Sequence, residues 1–104
     1  MNIERDWFVY LLLCDQKIYY VGITMNVVTR IYQHRHKQSS YTSKFSEIEL
    51  VYCEKYESRK EAVRREQQLK KWTRIKKQLL IEGKLGVNSC TEFVEALLAR
   101  RRTL

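Results

Sequence analysis

Two phenols, a guanidinium, an imidazole and a carboxylate stand along this chain at spacings that could serve phosphate chemistry. Tyr10 and Tyr20 are ten residues apart, Arg30 follows ten residues later, His34 four after that, and Glu66 lies in a separate basic segment. An arginine can fork onto two oxygens of a phosphate. A neutral imidazole can donate one hydrogen bond and accept another. A carboxylate can hold a hard divalent cation. These are the groups needed to hold a phosphodiester, one metal ion and an attacking water.

The elements that must position them can be read from the pattern. Trp7 to Cys14 is apolar on both alternations, as a strand covered on both faces would be, which predicts a central strand. Asp15-Gln16-Lys17 turns the chain into a second strand, Ile18 to Ile23. A two-residue turn would pair Leu11 with Tyr20 and send the two phenols to opposite faces. A three-residue connection pairs Leu12 with Tyr20 and Tyr10 with Gly22, and puts both phenols on one face. A shared site therefore predicts an odd-length turn, or a bulge of the same parity. Gly22, without a side chain at the strand end, lets a phosphate or another backbone come close.

Asn26 can cap a helix running to about Lys37, with Val28, Ile31 and Tyr32 on its buried stripe and Arg30 and His34 stacked on one face. Gln38 to Ser46 reads as a polar loop and Ile48 to Tyr56 as the third strand. Ser58-Arg59-Lys60-Glu61 is a capping box for a helix reaching about Trp72. Its inward stripe runs Ala62, Glu66, Leu69 and Trp72, so a carboxylate falls where an apolar residue is expected and needs a partner. That partner is a metal, a hydrogen-bond network or one of the neighbouring cations. Thr73 opens a further helix through Ile81, which Gly83 ends. Ser89-Cys90-Thr91-Glu92 is a second capping box, opening a last helix over 90–102 with Phe93, Val94, Leu97 and Leu98 inside.

The order β-β-α-β-α-α-α predicts an α/β (α+β) sandwich, with a three-stranded antiparallel sheet flanked by helices. At 104 residues with 44% apolar composition, the chain reads as a single domain with a modest core (core 7–84). The formal charge of +8 is concentrated between Arg59 and Arg102, which argues for a polyanionic partner, nucleic acid first and an anionic membrane surface second. Lys70, Lys71, Arg74, Lys76 and Lys77 are candidates for contacts to the nucleic-acid backbone. The charged start Asn2-Ile3-Glu4-Arg5-Asp6 does not read as a signal peptide, and no apolar run approaches the roughly 20 residues of a membrane span. Cys14, Cys53 and Cys90 form no C-x-x-C pair, so they read as small buried hydrophobes in a reducing cytoplasm rather than as a zinc site.

Phe8-Val9-Tyr10, Tyr20-Val21-Gly22, Arg30, His34, Tyr41-Thr42, Glu49-Leu50-Val51-Tyr52 and Arg64-Arg65-Glu66-Gln67-Gln68-Leu69-Lys70-Lys71-Trp72, followed by Arg74 and Lys76-Lys77, form an ordered set. In that set the chain resembles the GIY-YIG nuclease superfamily over Trp7 to about Lys84. The closer likeness is to the small stand-alone bacterial branch, itself similar to the amino-terminal endonuclease domain of the DNA-repair protein UvrC. The resemblance implies a magnesium- or manganese-dependent endonuclease that hydrolyses a phosphodiester of nucleic acid, with DNA the expected substrate. It implies Glu66 as the single protein ligand of a weakly held Mg²⁺ or Mn²⁺, Arg30 as the residue that orients the scissile phosphate, and His34 in support. A tyrosine acts as general base; Tyr10 is favoured, with Tyr20 as its hydrogen-bonding neighbour, and the reverse assignment is open. A free phenol with pKa ~10 costs about 4 kcal/mol to ionise near neutral pH, so the site must assist. The chain departs from the family in Phe8-Val9, where Gly-Ile is usual. It also lacks the asparagine that several members carry beyond the glutamate, since Gln78 and Ile81 stand at the ends of that window. With no second DNA-recognition domain in view, low sequence specificity is expected. The competing readings are a nucleic-acid-binding module that keeps the fold without cutting, and an adaptor that dimerises or binds another protein through its last helix.

Overall fold

The computed structural model describes residues 6–83 together with Ala96 and Ala99. Apart from those two alanines, the expected last helix over 90–102, with its seam of Phe93, Val94, Leu97 and Leu98, lies outside the described residues, as does Cys90. The elements are β1 (Trp7–Cys14), β2 (Ile18–Thr24), α1 (Val27–Arg35), a 3₁₀ turn (Thr42–Lys44), β3 (Ile48–Tyr56), α2 (Arg59–Lys70) and α3 (Arg74–Ile81). The strands form an antiparallel sheet in the order β2-β1-β3, so the doubly apolar β1 is central, as its composition requires.

The two faces of the sheet bury different sets. On one face Tyr10, Leu12, Cys14, Leu50 and Cys53 pack with Val27 and Ile31 of α1 and with Phe45. On the other, Val9, Leu11, Val21 and Tyr52 pack with Ala62 and Leu69 of α2 and Leu80 of α3. Helices thus cover both faces, and the sandwich is α+β. Among the described residues, no helix is long and apolar enough to cross a membrane.

The hairpin turns as the shared-site argument requires. Cys14 pairs with Ile18 across Asp15-Gln16-Lys17, Leu12 with Tyr20, and Tyr10 with Gly22. Asp15 and Gln16 take left-handed backbone with φ of 51° and 58°, and the Lys17 amide donates to the Cys14 carbonyl at 3.0 Å. The Asp15 carboxylate accepts from the amides of Ser46 and Glu47 at 3.0 and 2.7 Å, so the turn is pinned to the chain entering β3. On the other side of β1 the register slips between Leu11, paired with Tyr52, and Leu12, paired with Leu50. Val51 is the extra residue, a bulge that switches which alternate residues of β3 face α1.

The helix caps fall where the polar residues are. Asn26, Ser58 and Thr73 each accept an amide hydrogen bond in the first turn of their helices, from Thr29, Glu61 and Lys76. Gly83, with φ of 76°, follows α3 and donates its amide to the Leu80 carbonyl. The buried stripe of α1 differs from expectation. Val27, Ile31 and His34 are buried, whereas Tyr32 is 46% exposed and stacks on His36 at 4.0 Å.

Tyr10 lies between two small neighbours, Gly22 on β2 and Cys53 on β3. A Cβ at Gly22 would sit 2.5 Å from the Tyr10 oxygen and 2.6 Å from its ring. Gly22→Ala must therefore displace a fully buried ring, and we expect it to lower stability by about 1–3 kcal/mol in urea or thermal unfolding.

Candidate active site

Four of the five residues singled out by chemistry converge on the α1 face of the sheet. Tyr10 is 1% exposed, and its hydroxyl is 2.9 Å from Nε2 of His34. Arg30 Nε donates to the same hydroxyl at 3.4 Å, and its Nη1 donates to Gln33 at 3.0 Å. Tyr20 is half-buried, with its ring centroid 6.2 Å from that of Tyr10 and 5.1 Å, edge-on, from the His34 ring. Burial works against the charge on the Arg30 guanidinium, but the hydroxyl of Tyr10 and then that of Tyr20 beside it outweigh this and raise its pKa. Tyr41, 45% exposed, continues the aromatic row 5.4 Å beyond Tyr20.

His34 is fully buried, so α1 turns this imidazole into the interior rather than to solvent. Its Nδ1 is 2.6 Å from the hydroxyl of Thr42, itself fully buried. A neutral imidazole carries one proton, so whichever nitrogen holds it, one of Tyr10 and Thr42 donates and the other accepts. Burial first, and then the positive charge of Arg30, lower this imidazole from 6.5 to about 4. It is neutral at physiological pH and ties the two hydroxyls together by one hydrogen bond to each.

Burial acts in the opposite direction on Tyr10. It raises the phenol far above its ordinary value of 10, with the Arg30 hydrogen bond offsetting only part of the effect. A sealed phenol that is hard to ionise is at odds with the base role favoured for Tyr10. Tyr20, on the same face and beside Arg30, is the phenol with access to solvent.

Glu66 sits on the opposite layer, on α2. Ala62 and Leu69 are fully buried and Trp72 packs against the same core, so the expected inward stripe is present. Glu66 is at its flank, with 17% of its side chain exposed, and pairs with Lys70 at 3.6 Å. Among the described residues, the hydrogen bonds joining Tyr10, Arg30, His34 and Thr42 do not extend to Glu66. The donor set suits a hard divalent cation that takes most of its shell from water and phosphate. Among the described residues no group of three or more His, Cys, Asp or Glu could form a protein cage for a metal.

The basic residues are unequal. Lys70, Lys71, Arg74 and Lys76 are exposed, while Lys77 is half-buried and its pKa is lowered by burial. Arg74 lies 5.0 Å over the Tyr19 ring and bonds the Lys17 carbonyl, and Lys76 lies 4.2 Å over Trp72. Arg74 and Lys76 are therefore held against aromatic surface beside the hairpin and α2.

Two roles escaped the sequence reading, one of them that of a residue already in the motif set. Thr42, in a segment read as polar loop, is the second partner of His34. Glu54 is 1% exposed and accepts from Tyr52 and Tyr56, both at 2.6 Å, and from Arg65 Nε and Nη2 at 2.9 and 3.0 Å. The only available signal was positional: Tyr52, Glu54 and Tyr56 alternate along one strand.

The GIY-YIG catalytic-domain family model matches residues 6–78. A UPF0213 protein of Natronomonas pharaonis is 34% identical over 82 residues, covering 78% of this chain and 96% of that protein. A UPF0213 protein of Staphylococcus aureus is 38% identical over 76 residues, covering 72% and 93%. The solution NMR structure of a UPF0213 protein from Bacillus halodurans is similar at TM-score 0.50 and 32% identity, covering 76% of this chain and 85% of that one.

The buried imidazole has a measurable consequence. Between pH 6.5 and about 4 the unfolded chain binds a proton at His34 that the folded chain refuses. Stability therefore falls as pH drops through that window, by at most about 3 kcal/mol, and levels off below it. Melting temperature measured from pH 7 to 4 should decline more steeply for the native chain than for His34→Gln.

Proposed function

From the premise that this chain belongs to the GIY-YIG catalytic-domain family, a nuclease family, we propose that it is a metal-dependent endonuclease that hydrolyses phosphodiester bonds of nucleic acid, with DNA the expected substrate and low sequence specificity. The observation that carries this reading is the sealed Tyr10–His34–Thr42 chain beneath a solvent-accessible Tyr20 and a charged Arg30.

Arg30 binds a non-bridging oxygen of the scissile phosphate and offsets the charge that develops there. Tyr20 takes the proton of the attacking water as general base, from a position beside Arg30 that is open to solvent. Tyr10 and His34 hold Tyr20 and Arg30 in register from beneath, and Gly22 leaves the space in which the phenols meet. The burial of Tyr10 is the reason for giving Tyr20 the base role. Mg²⁺ or Mn²⁺, held by Glu66 and weakly bound until substrate adds its oxygens, would supply charge neutralisation at the phosphate. Lys70, Lys71, Arg74, Lys76 and Lys77 contact the backbone of the strand.

Labelled DNA and RNA of several structures, incubated with Mg²⁺ or Mn²⁺, test the reading. Glu66→Ala should abolish cleavage, and Arg30→Ala should slow it by about 100-fold or more. Tyr20→Phe should cost about 100-fold or more in turnover, and Tyr10→Phe less, if the outer phenol is the base. The reverse order would return the base role to Tyr10. Salt-sensitive binding with no cutting of any substrate would favour the non-catalytic binding module. On that outcome, replacing Lys71 and Lys76 by alanine should still reduce the salt dependence of binding, by about 0.9 in log–log slope per lost contact on duplex DNA.

A further inference from the structure

A fully buried carboxylate that no proposed step uses lies beneath α2. Glu54 accepts four hydrogen bonds, from two phenols and from both sides of the Arg65 fork. Arg65 is held again by Gln68 Oε1 of α2 at 2.6 Å and by the Trp72 ring just beyond the helix, 5.0 Å away. The ion pair is almost closed to water, with side-chain exposures of 13% for Arg65 and 2% for Glu54. Its bidentate geometry fixes the direction of the guanidinium as well as its distance. The phenols of Tyr52 and Tyr56 are kept protonated, first by burial and then by the bonds they give to Glu54, so their donors stay in place at physiological pH.

Helix geometry couples this lock to Glu66. Ala62 and Leu69 mark the line that α2 lays on the sheet. Arg65 and Glu66 are three and four residues beyond Ala62 and roughly 100° apart around the axis, so they straddle that line. Arg65 reaches β3. Glu66 is thereby turned to the opposite flank, which in the order β2-β1-β3 is the side of β2, the strand of Tyr20 and Gly22. A hydrophobic stripe two residues wide would tolerate a roll of the helix. The fork on Glu54 does not.

We propose that Glu54 and Arg65 are positioning residues: their buried ion pair sets the roll of α2 and so directs the Glu66 carboxylate toward β2. This rests on the metal-binding role given to Glu66 above, but the roll can be measured without any metal. The variant is Glu54→Leu with Arg65→Met, which leaves no stranded charge; it also removes the acceptor of the Tyr52 and Tyr56 phenols, so some loss of stability is expected and the couplings are read on folded protein. Arg65→Lys is the second variant; it keeps the charge and loses the fork.

Amide residual dipolar couplings across α2 report the roll in the free protein. Mn²⁺ titration, followed by paramagnetic broadening at Glu66 and its neighbours, reports the carboxylate. We expect altered α2 couplings in the folded double variant, about a tenfold higher half-saturating Mn²⁺, near the lower limit for changes around a metal ligand, and an intermediate result for Arg65→Lys. Unchanged couplings in both variants overturn the inference whatever Mn²⁺ does. Altered couplings with native Mn²⁺ half-saturation also overturn it, since the roll would then not direct the carboxylate. Altered couplings in a protein whose native form shows no Mn²⁺ broadening centred on Glu66 support the lock and remove the metal role instead.

Discussion

A buried imidazole must find a partner for each nitrogen, and meeting that demand organises one whole side of this molecule. His34 is fully enclosed, and its two partners come from distant parts of the chain, Tyr10 from the central strand and Thr42 from the segment before β3. Without either one, a polar nitrogen would be stranded in a dry interior at a cost of about 1–3 kcal/mol. The pair of bonds therefore fixes the depth of α1 on the sheet and draws the Thr42–Lys44 turn inward. It also holds the Tyr10 ring where only a glycine can lie opposite. The chemistry proposed for Arg30 and Tyr20 is carried on the outside of that polar core.

The other face solves a matching problem with an ion pair. A buried ion pair such as that of Glu54 and Arg65 adds little net stability over apolar residues of similar volume, although Glu54 also satisfies the Tyr52 and Tyr56 phenols. What apolar packing does not supply is direction, because a helix resting on alanine and leucine can roll. The two faces thus share a design in which a satisfied polar group, sealed between sheet and helix, holds an element whose neighbouring residue faces solvent. On one side that neighbour is Arg30 and on the other it is Glu66.

Much of this was legible in the residues, and the failures have physical reasons. The three-residue turn follows from requiring both phenols on one face, and the Tyr10–Gly22 pairing bears it out. Strand limits and caps were plain because Asn26, Ser58 and Thr73 have one obvious use each. Tyr32 misled because α1 offers two overlapping stripes, and hydrophobicity favours a tyrosine over a histidine when the partner hydroxyls are unknown. Thr42 belongs to no periodic pattern, so nothing local marks it as interior. Glu54 was hidden by the bulge at Val51, which changes the facing of β3 partway along. A buried acid is recognisable only once its tyrosine neighbours and Arg65 are known to share its face. For Glu66 the sequence led to the right stripe but not to its edge, since a period of 3.6 residues cannot separate the centre of a stripe from its flank.

The two tyrosines of the hairpin show how little residue type says about role. They point to the same side of the same sheet, and yet one is sealed and the other meets solvent. The difference comes from their neighbours. Tyr10 lies on the central strand, with Gly22 on one side and Cys53 on the other, so its ring sinks into space that larger residues would fill. Tyr20 lies on an edge strand and leans outward on Tyr41. Burial then keeps Tyr10 protonated, because the phenolate form is penalised where water is excluded. Two like groups in unlike surroundings can divide one task, with the inner phenol fixing geometry and the outer one open to solvent. Under the proposed mechanism the outer phenol is the base and the inner one its support, and strand order decides which is which.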